Sequence, residues 1–176
     1  MSKVQNVFLI GAKSLGAYGG YETFVYKLTE YHQNNPNIKY HVACKANGDG
    51  CMDETKLDNV KRVSDSEFEF HNARCFKIHI PQIGPAQAIY YDVAALRECC
   101  KYIKKNNIEN PIVYIMACRI GPFARYFYMK IHKLGGKVYL NPDGHEWMRA
   151  KWSKPIRKYW KVSEQMMVKY CDLAIC

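Results

Sequence analysis

Short apolar runs alternate with longer stretches of helical spacing along the whole chain. Val7-Phe8-Leu9-Ile10 is continuously apolar, the mark of a strand buried on both faces. Phe24, Val25, Leu28 and Tyr31 then recur at helical intervals, and residues 38–44 read as a second strand. Residues 66–81 read as extended structure, with Phe68 and Phe70 alternating with acids before Cys75-Phe76-Lys77-Ile78. A long helical pattern over 88–108 places Ile89, Val93, Leu96, Cys100 and Ile103 on one stripe. A further buried-type strand over 112–117 follows, then a helix opened by Gly121-Pro122 with Phe123, Phe127 and Ile131 as its apolar stripe. Gly135-Gly136 ends that helix. Residues 137–140 read as a strand, 141–152 as a polar loop, 155–170 as a helix and 173–176 as the start of one more strand.

Strands alternating with helices predict an α/β domain, Rossmann-like, with a mostly parallel sheet covered on both faces. Such sheets bind ligands beyond the carboxyl ends of their strands. Three loops are therefore expected to meet there: 11–22, 118–121 and 141–152.

The first of these carries Gly11, Gly16, Gly19 and Gly20 and runs into a helix start at Tyr18-Gly19-Gly20-Tyr21-Glu22. A strand, a glycine loop and a helix N-terminus together can hold an anion, because free N–H groups of the first helical turn point at it. The plainer reading is a glycine-rich turn that only lets the loop fold tightly. Gly11 and Gly16 have Walker spacing, but Ala17-Tyr18 stand where lysine and a hydroxyl residue are needed, and no G-x-G-x-x-G occurs.

Composition narrows the partners. Twenty-six basic against 16 acidic residues give a formal charge of +10, which implies something anionic: nucleic acid, a phosphorylated substrate or an acidic membrane surface. No helix-turn-helix, RRM or OB signature supports nucleic acid. The 8 cysteines form no C-x-x-C pair and several fall within apolar strand or helix patterns, which fits a reducing cytosol rather than a disulfide scaffold. No metal and no cofactor are expected, since close Cys or His pairs with ligand spacing are lacking. Nothing approaches the ~18–20 apolar residues of a membrane span, and no signal peptide opens the sequence.

The second constellation is Asn141-Pro142-Asp143-Gly144-His145-Glu146-Trp147, directly after a buried strand. Carboxylates and an imidazole accept hydrogen bonds from sugar hydroxyls, and aromatic rings suit the apolar faces of sugars. The competing reading is an Asp-Gly turn with Asp143 as a cap. The sequence then turns basic at Arg149, Lys151, Lys154, Arg157, Lys158 and Lys161, with 154, 157, 158 and 161 on one helical face and Ile156, Trp160, Ser163 and Met167 on another. This is either a solvated face or, with Trp147 and Trp152 beside it, a surface for a diphosphate or an anionic bilayer.

The segments YGGYETFV, NPDGHEWMRAKWSKPIRKYW and EQMMVKYCDLAIC together resemble the N-terminal domain of bacterial rhamnosyltransferases. These are retaining glycosyltransferases of the family 4 type, with the GT-B fold, that build capsule and cell-wall polysaccharides. The resemblance spans residues 3–176. It implies two Rossmann-like domains facing a cleft, of which this chain would be the single acceptor-side domain. The other would hold the nucleotide sugar, dTDP-L-rhamnose, and is expected to lie outside these 176 residues. The implied acceptor is a saccharide on a polyprenyl-diphosphate carrier, with the protein peripheral on the inner face of the cell membrane and no metal required.

Carried over by motif, the resemblance places Gly16, Gly19, Gly20 and Glu22 at the donor diphosphate. Asp143, His145 and Glu146 fall at the reacting acceptor, and Arg119, Trp147, Arg149, Lys151, Trp152, Lys154, Arg157 and Lys158 toward acceptor or membrane. The alternative is a non-catalytic binding module for anionic lipid or the polyprenyl-diphosphate carrier. Without the donor half, the chain alone is expected to transfer no sugar.

Overall fold

The computed structural model describes residues 4–142, 144–150 and 152–175. β1 (Gln5–Ile10) leads to α1 (Gly20–His32) and β2 (Ile38–Lys45). A three-strand excursion follows: β3 (Lys61–Ser64), β4 (Glu67–Phe70) and β5 (Ala73–Ile78). Then come α2 (Gln87–Lys105), β6 (Ile112–Met116), α3 (Gly121–Lys133), β7 (Lys137–Asn141), α4 (Lys154–Tyr170) and β8 (Leu173–Ala174).

These strands form one sheet in the order β3-β4-β5-β2-β1-β6-β7-β8. The six strands from β5 to β8 are parallel, while β3 and β4 pair antiparallel at one edge. The parallel part grows outward from β1 in one direction through β2 and β5, then restarts on the other side of β1 with β6. That is the doubly wound arrangement, and the expected Rossmann-like α/β class is borne out.

Right-handed crossovers dictate which helix covers which face. α1 packs on one face, where Val25 meets Leu9, Val42, Tyr114 and Met116, joined by Phe68 and Phe70 of β4. α2 and α3, with Met167 of α4, cover the other through Leu96, Ile103, Phe127 and Ile131 against Phe8, Ile10, Val113 and Leu140. Between the two halves the chain leaves β1 through Gly11 at φ +117, where any Cβ would run into the Met116 carbonyl. Only glycine lets the end of β1 lie this close to β6.

Three details differ from the sequence pattern. α1 buries Val25 and Thr29 rather than the stripe read from spacing; Phe24 and Tyr31 are exposed. Thr29 fits because its hydroxyl donates to the Val25 and Tyr26 carbonyls. α3 likewise buries Ala124, Phe127, Tyr128 and Ile131 and leaves Phe123 exposed. The stretch read as extended, 66–81, holds the two strands β4 and β5, because His71 and Asn72 both take positive φ and turn the chain in a two-residue hairpin. β3 carries no buried residue, so no apolar pattern announced it. The described cysteines are free thiols, and no described helix is long and apolar enough to cross a membrane.

Candidate functional site

A cleft of about 530 Å³ opens at the carboxyl ends of the parallel strands, beside the point where the winding reverses. Gly20, Tyr21 and Phe24 of α1 form one wall. Ala117, Cys118 and Arg119 follow β6, and Asn141, Gly144, His145, Glu146 and Arg149 follow β7. Trp160 and Glu164 enter from α4. The loops expected to converge do so, and α4 adds a wall that the loop argument lacked.

Two lining residues sit in strained backbone. Ala117 has φ +79 and His145 φ +30. Each such conformation costs on the order of 1–3 kcal/mol, and it persists only where surrounding contacts hold it. At Ala117 the holding contacts are visible. Its N–H donates to the Asn141 carbonyl (3.2 Å), and Ser163 of α4 clamps the next turn, donating to the Cys118 carbonyl and accepting from the Gly121 N–H, both at 2.7 Å. The kink throws Arg119 toward β1.

Arg119 meets a carboxylate there. Its Nη1 donates to the Gly11 carbonyl (3.1 Å) and to both oxygens of Asp92 (3.4 and 3.3 Å), a residue of α2 with 0% exposure. Burial pushes the Asp92 carboxyl up to about 6, with Arg119 opposing the shift. Burial works most strongly against the Arg119 charge, yet Asp92 together with Tyr21 and Tyr91 outweighs it and raises the guanidinium's proton affinity. Tyr159 of α4 donates to the Arg119 carbonyl (2.8 Å), and Tyr91 beside Asp92 donates to the Ala12 carbonyl (2.6 Å). The floor is thus stitched from α2, α4 and both central loops.

The wall after β7 is organised by its tryptophans. Trp152 Nε1 donates to Glu146 Oε2 (2.9 Å), and Arg149 Nε lies 3.1 Å from Oε1, so both oxygens of Glu146 are engaged. Trp147 Nε1 donates to Glu164 Oε2 (3.2 Å), which also lies 3.5 Å from His145 Nδ1. Burial pushes the Cys118 thiol up to about 12, which leaves it a poor nucleophile.

Of the residues singled out in the sequence, the cleft gathers Gly20, Arg119, His145, Glu146 and Arg149. Gly16 lies elsewhere, with Leu57 and Tyr26 as neighbours. Gly19 abuts the Glu22 carboxylate, and Glu22 in turn accepts from the Lys13 N–H at 2.9 Å. That carboxylate puts negative charge where an incoming anion would meet the first turn of α1. Trp147 and Trp152 hold the glutamates rather than line the cleft. Lys154 and Lys158 are exposed on α4, and Arg157 donates to the Trp147 carbonyl (2.6 Å) while Lys161 stands 5.2 Å over the Trp147 ring. Asp143 and Lys151 lie outside the described residues.

Sequence reasoning missed Phe24, Trp160 and Glu164, and it placed Tyr21 and Cys118 in the converging loops without singling them out. The one signal for Glu164 was its place beside Ser163, one turn after Trp160, on the stripe that α4 turns inward. Among the described residues no group of three His, Cys, Asp or Glu side chains could hold a metal ion.

The arrangement can grip a polyol. Glutamates and an imidazole offer acceptors, Asn141 offers an amide, and Tyr21, Phe24 and Trp160 offer rings. Two arginines add anion-recognising groups. No curated protein matches the chain. Residues 4–176 match the family described as domain of unknown function (DUF1972), a domain associated with glycosyltransferase-like proteins, and the chain belongs to that family.

Proposed function

We propose that this chain is the acceptor-side domain of a rhamnosyltransferase of the GT-B type. It would take L-rhamnose from dTDP-L-rhamnose to a saccharide on a polyprenyl-diphosphate carrier at the inner face of the membrane. The observation that carries this reading is the cleft at the winding reversal, where His145, Glu146 and Glu164 stand beside the rings of Tyr21 and Phe24. Carboxylates with aromatic rings suit sugar recognition, and the family's association with glycosyltransferase-like proteins supports the same chemistry.

In the retaining reaction, the bond from the sugar's anomeric carbon to the donor phosphate oxygen breaks. A bond from that carbon to the acceptor oxygen forms on the same face, and the acceptor proton passes to the departing phosphate. The domain's task is to hold the acceptor hydroxyl at that carbon. His145 and Glu164 are suited to orient it, since Glu164 is held by Trp147 and His145 through Oε2, whereas both oxygens of Glu146 are engaged by Arg149 and Trp152.

The test uses the full-length protein with dTDP-L-rhamnose and a lipid-linked saccharide. Transfer that falls at least ~100-fold in His145→Ala and Glu164→Gln, with folding intact, is the expected result. Full activity in both variants overturns the site assignment.

A second reading, a binding module without catalysis, draws on the outer face of α4. Lys154, Lys158 and Val162 are exposed there, and Met148 is exposed just before it. Binding to anionic vesicles by a full-length protein with no affinity for sugar nucleotide would favour it.

A further inference from the structure

Arg119 is the one arginine of the cleft floor, and its guanidinium is used on one side only. Nη1 makes all three of its contacts, with Gly11 and the two oxygens of Asp92. Nε and Nη2 donate to nothing among the described residues, and the side chain keeps 19% of its surface open to the cleft. Those two N–H groups form one straight edge of the fork, the edge that takes two oxygens of a phosphoryl group in parallel. The other edge is fixed from below by a carboxylate that faces no solvent and by a backbone carbonyl at the end of β1. Arg149 lines the same cleft, paired with Glu146.

We propose that Arg119 is a phosphoryl-recognition point on the cleft floor, with Asp92 as the positioning residue that holds its fork. The ligand class is a phosphate ester or diphosphate. This sharpens the transferase reading and rests on it only for which molecule brings the phosphate, the nucleotide sugar or the polyprenyl carrier. A preorganised guanidinium loses little freedom when the anion arrives, which is why a buried partner carboxylate belongs under it. Asp92 would lose that role if Arg119 were absent, so the two residues act as one unit.

Inorganic pyrophosphate titrated into the full-length protein by calorimetry tests the proposal without any transfer step. Arg119→Gln is expected to weaken binding ~10-fold or more, and Arg119→Lys to recover only part, because a lysine keeps the charge without the fork. Asp92→Asn should weaken binding severalfold in the parent and have no further effect when added to Arg119→Gln, which a merely structural role would not produce. Lys104→Gln and Lys105→Gln, exposed in the last turn of α2 and outside the cleft lining, should leave pyrophosphate affinity unchanged and are the control for the outer-face variants Lys154→Gln and Lys158→Gln.

Competition by dTDP or by farnesyl diphosphate supports the proposal and names the source of the phosphate. Competition by neither overturns it, as does unchanged affinity in a folded Arg119→Gln or Arg119→Lys protein. Loss of affinity in the outer-face variants also overturns it, by placing the anion on α4. Arg119-dependent pyrophosphate binding in a protein that transfers no sugar would sink the transferase reading and leave this one standing.

Discussion

Two arginines, 45 positions apart in sequence order, show how a buried charge differs from one that opens on a cleft. Arg74 on β5 pairs with Glu67 through Nε (3.1 Å) and through a close Nη2 contact, and its guanidinium lies between the rings of Tyr102 (3.8 Å) and Phe76 (4.8 Å). Beside it on β2, His41 stacks on Phe8 at 4.3 Å and bonds Asn6 at 2.9 Å. In this knot, Arg74 and His41 are both buried between the sheet and Tyr102 of α2, with Glu67 half-buried at the rim. Arg119 also has a carboxylate partner, but only half of its fork is used and the rest opens on the cleft. The difference is topological. Arg74 sits under the crossover helix, whereas Arg119 stands where the two windings part and no helix can close the gap.

The largest test of that contrast is Arg74→Ala. It removes a buried cation from its carboxylate and from two rings, and should destabilise the fold by about 3–5 kcal/mol in denaturant unfolding. Arg119→Gln strands the enclosed Asp92 carboxylate, a cost of the same kind. That carboxyl, already pushed up to about 6 by burial, can escape the cost by taking up a proton, so the loss should be the smaller of the two below pH 6. Equal losses at the two positions would erase the distinction.

His41 gives the second test. Burial first, then the charges of Arg74 and Lys39, hold its imidazole down at about 3 against an ordinary value near 6.5. A folded value below the unfolded one means that the neutral ring's contribution is complete above pH ~6.5 and is lost as pH falls toward 3. The contribution is on the order of 4 kcal/mol. Stability of His41→Gln followed by urea midpoints should therefore fall less steeply over that window than the parent's.

Asp92 should behave oppositely. Its folded value of about 6 lies above the unfolded value near 3.8. The groups facing it are Arg119 from the β6–α3 loop, Tyr91 on its own helix and Tyr159 of α4. Its contribution is therefore present below pH ~3.8 and lost as pH rises through 6, on the order of 3 kcal/mol. Asp92→Asn should remove that downward slope between pH 4 and 6, and an unchanged slope would show that Asp92 stays ionised in the pair.

The smallest effect belongs to the cations outside both knots. Lys158→Gln should weaken co-sedimentation with anionic vesicles by about 1 kcal/mol, roughly fivefold, and less at high salt. An unchanged distribution would leave the α4 cations as a solvated face.

Much of this was legible before any coordinates. Four consecutive apolar residues at Val7–Ile10 marked a strand buried on both faces, and they form the end of β1, inside the sheet between β2 and β6. Of the α4 face read as Ile156, Trp160, Ser163 and Met167, the last three are buried and Ile156 is half-buried. Phe24 and Tyr31 misled because helical spacing gives a face but not which half of it the sheet will cover. β3 was invisible because an exposed edge strand needs no apolar residue. At the site, the loop after β7 was legible as polar groups following a buried strand, while Glu164 and Asp92 were not, since a single acid within a helix looks like surface.

The sequence by itself determined the alternation of strands and helices, the mostly parallel sheet and the edge at which loops would gather. Those follow from local periodicity and from the fixed hand of crossover connections. Only the tertiary structure decided that the winding reverses between β1 and β6, which brings Gly11 against Met116 and opens the cleft there. It also decided that the tryptophans after β7 hold glutamates instead of facing a ligand, and that Asp92 lies beneath Arg119. Such pairings join residues tens of positions apart through burial and desolvation, and neither quantity is written in the spacing of a single chain segment.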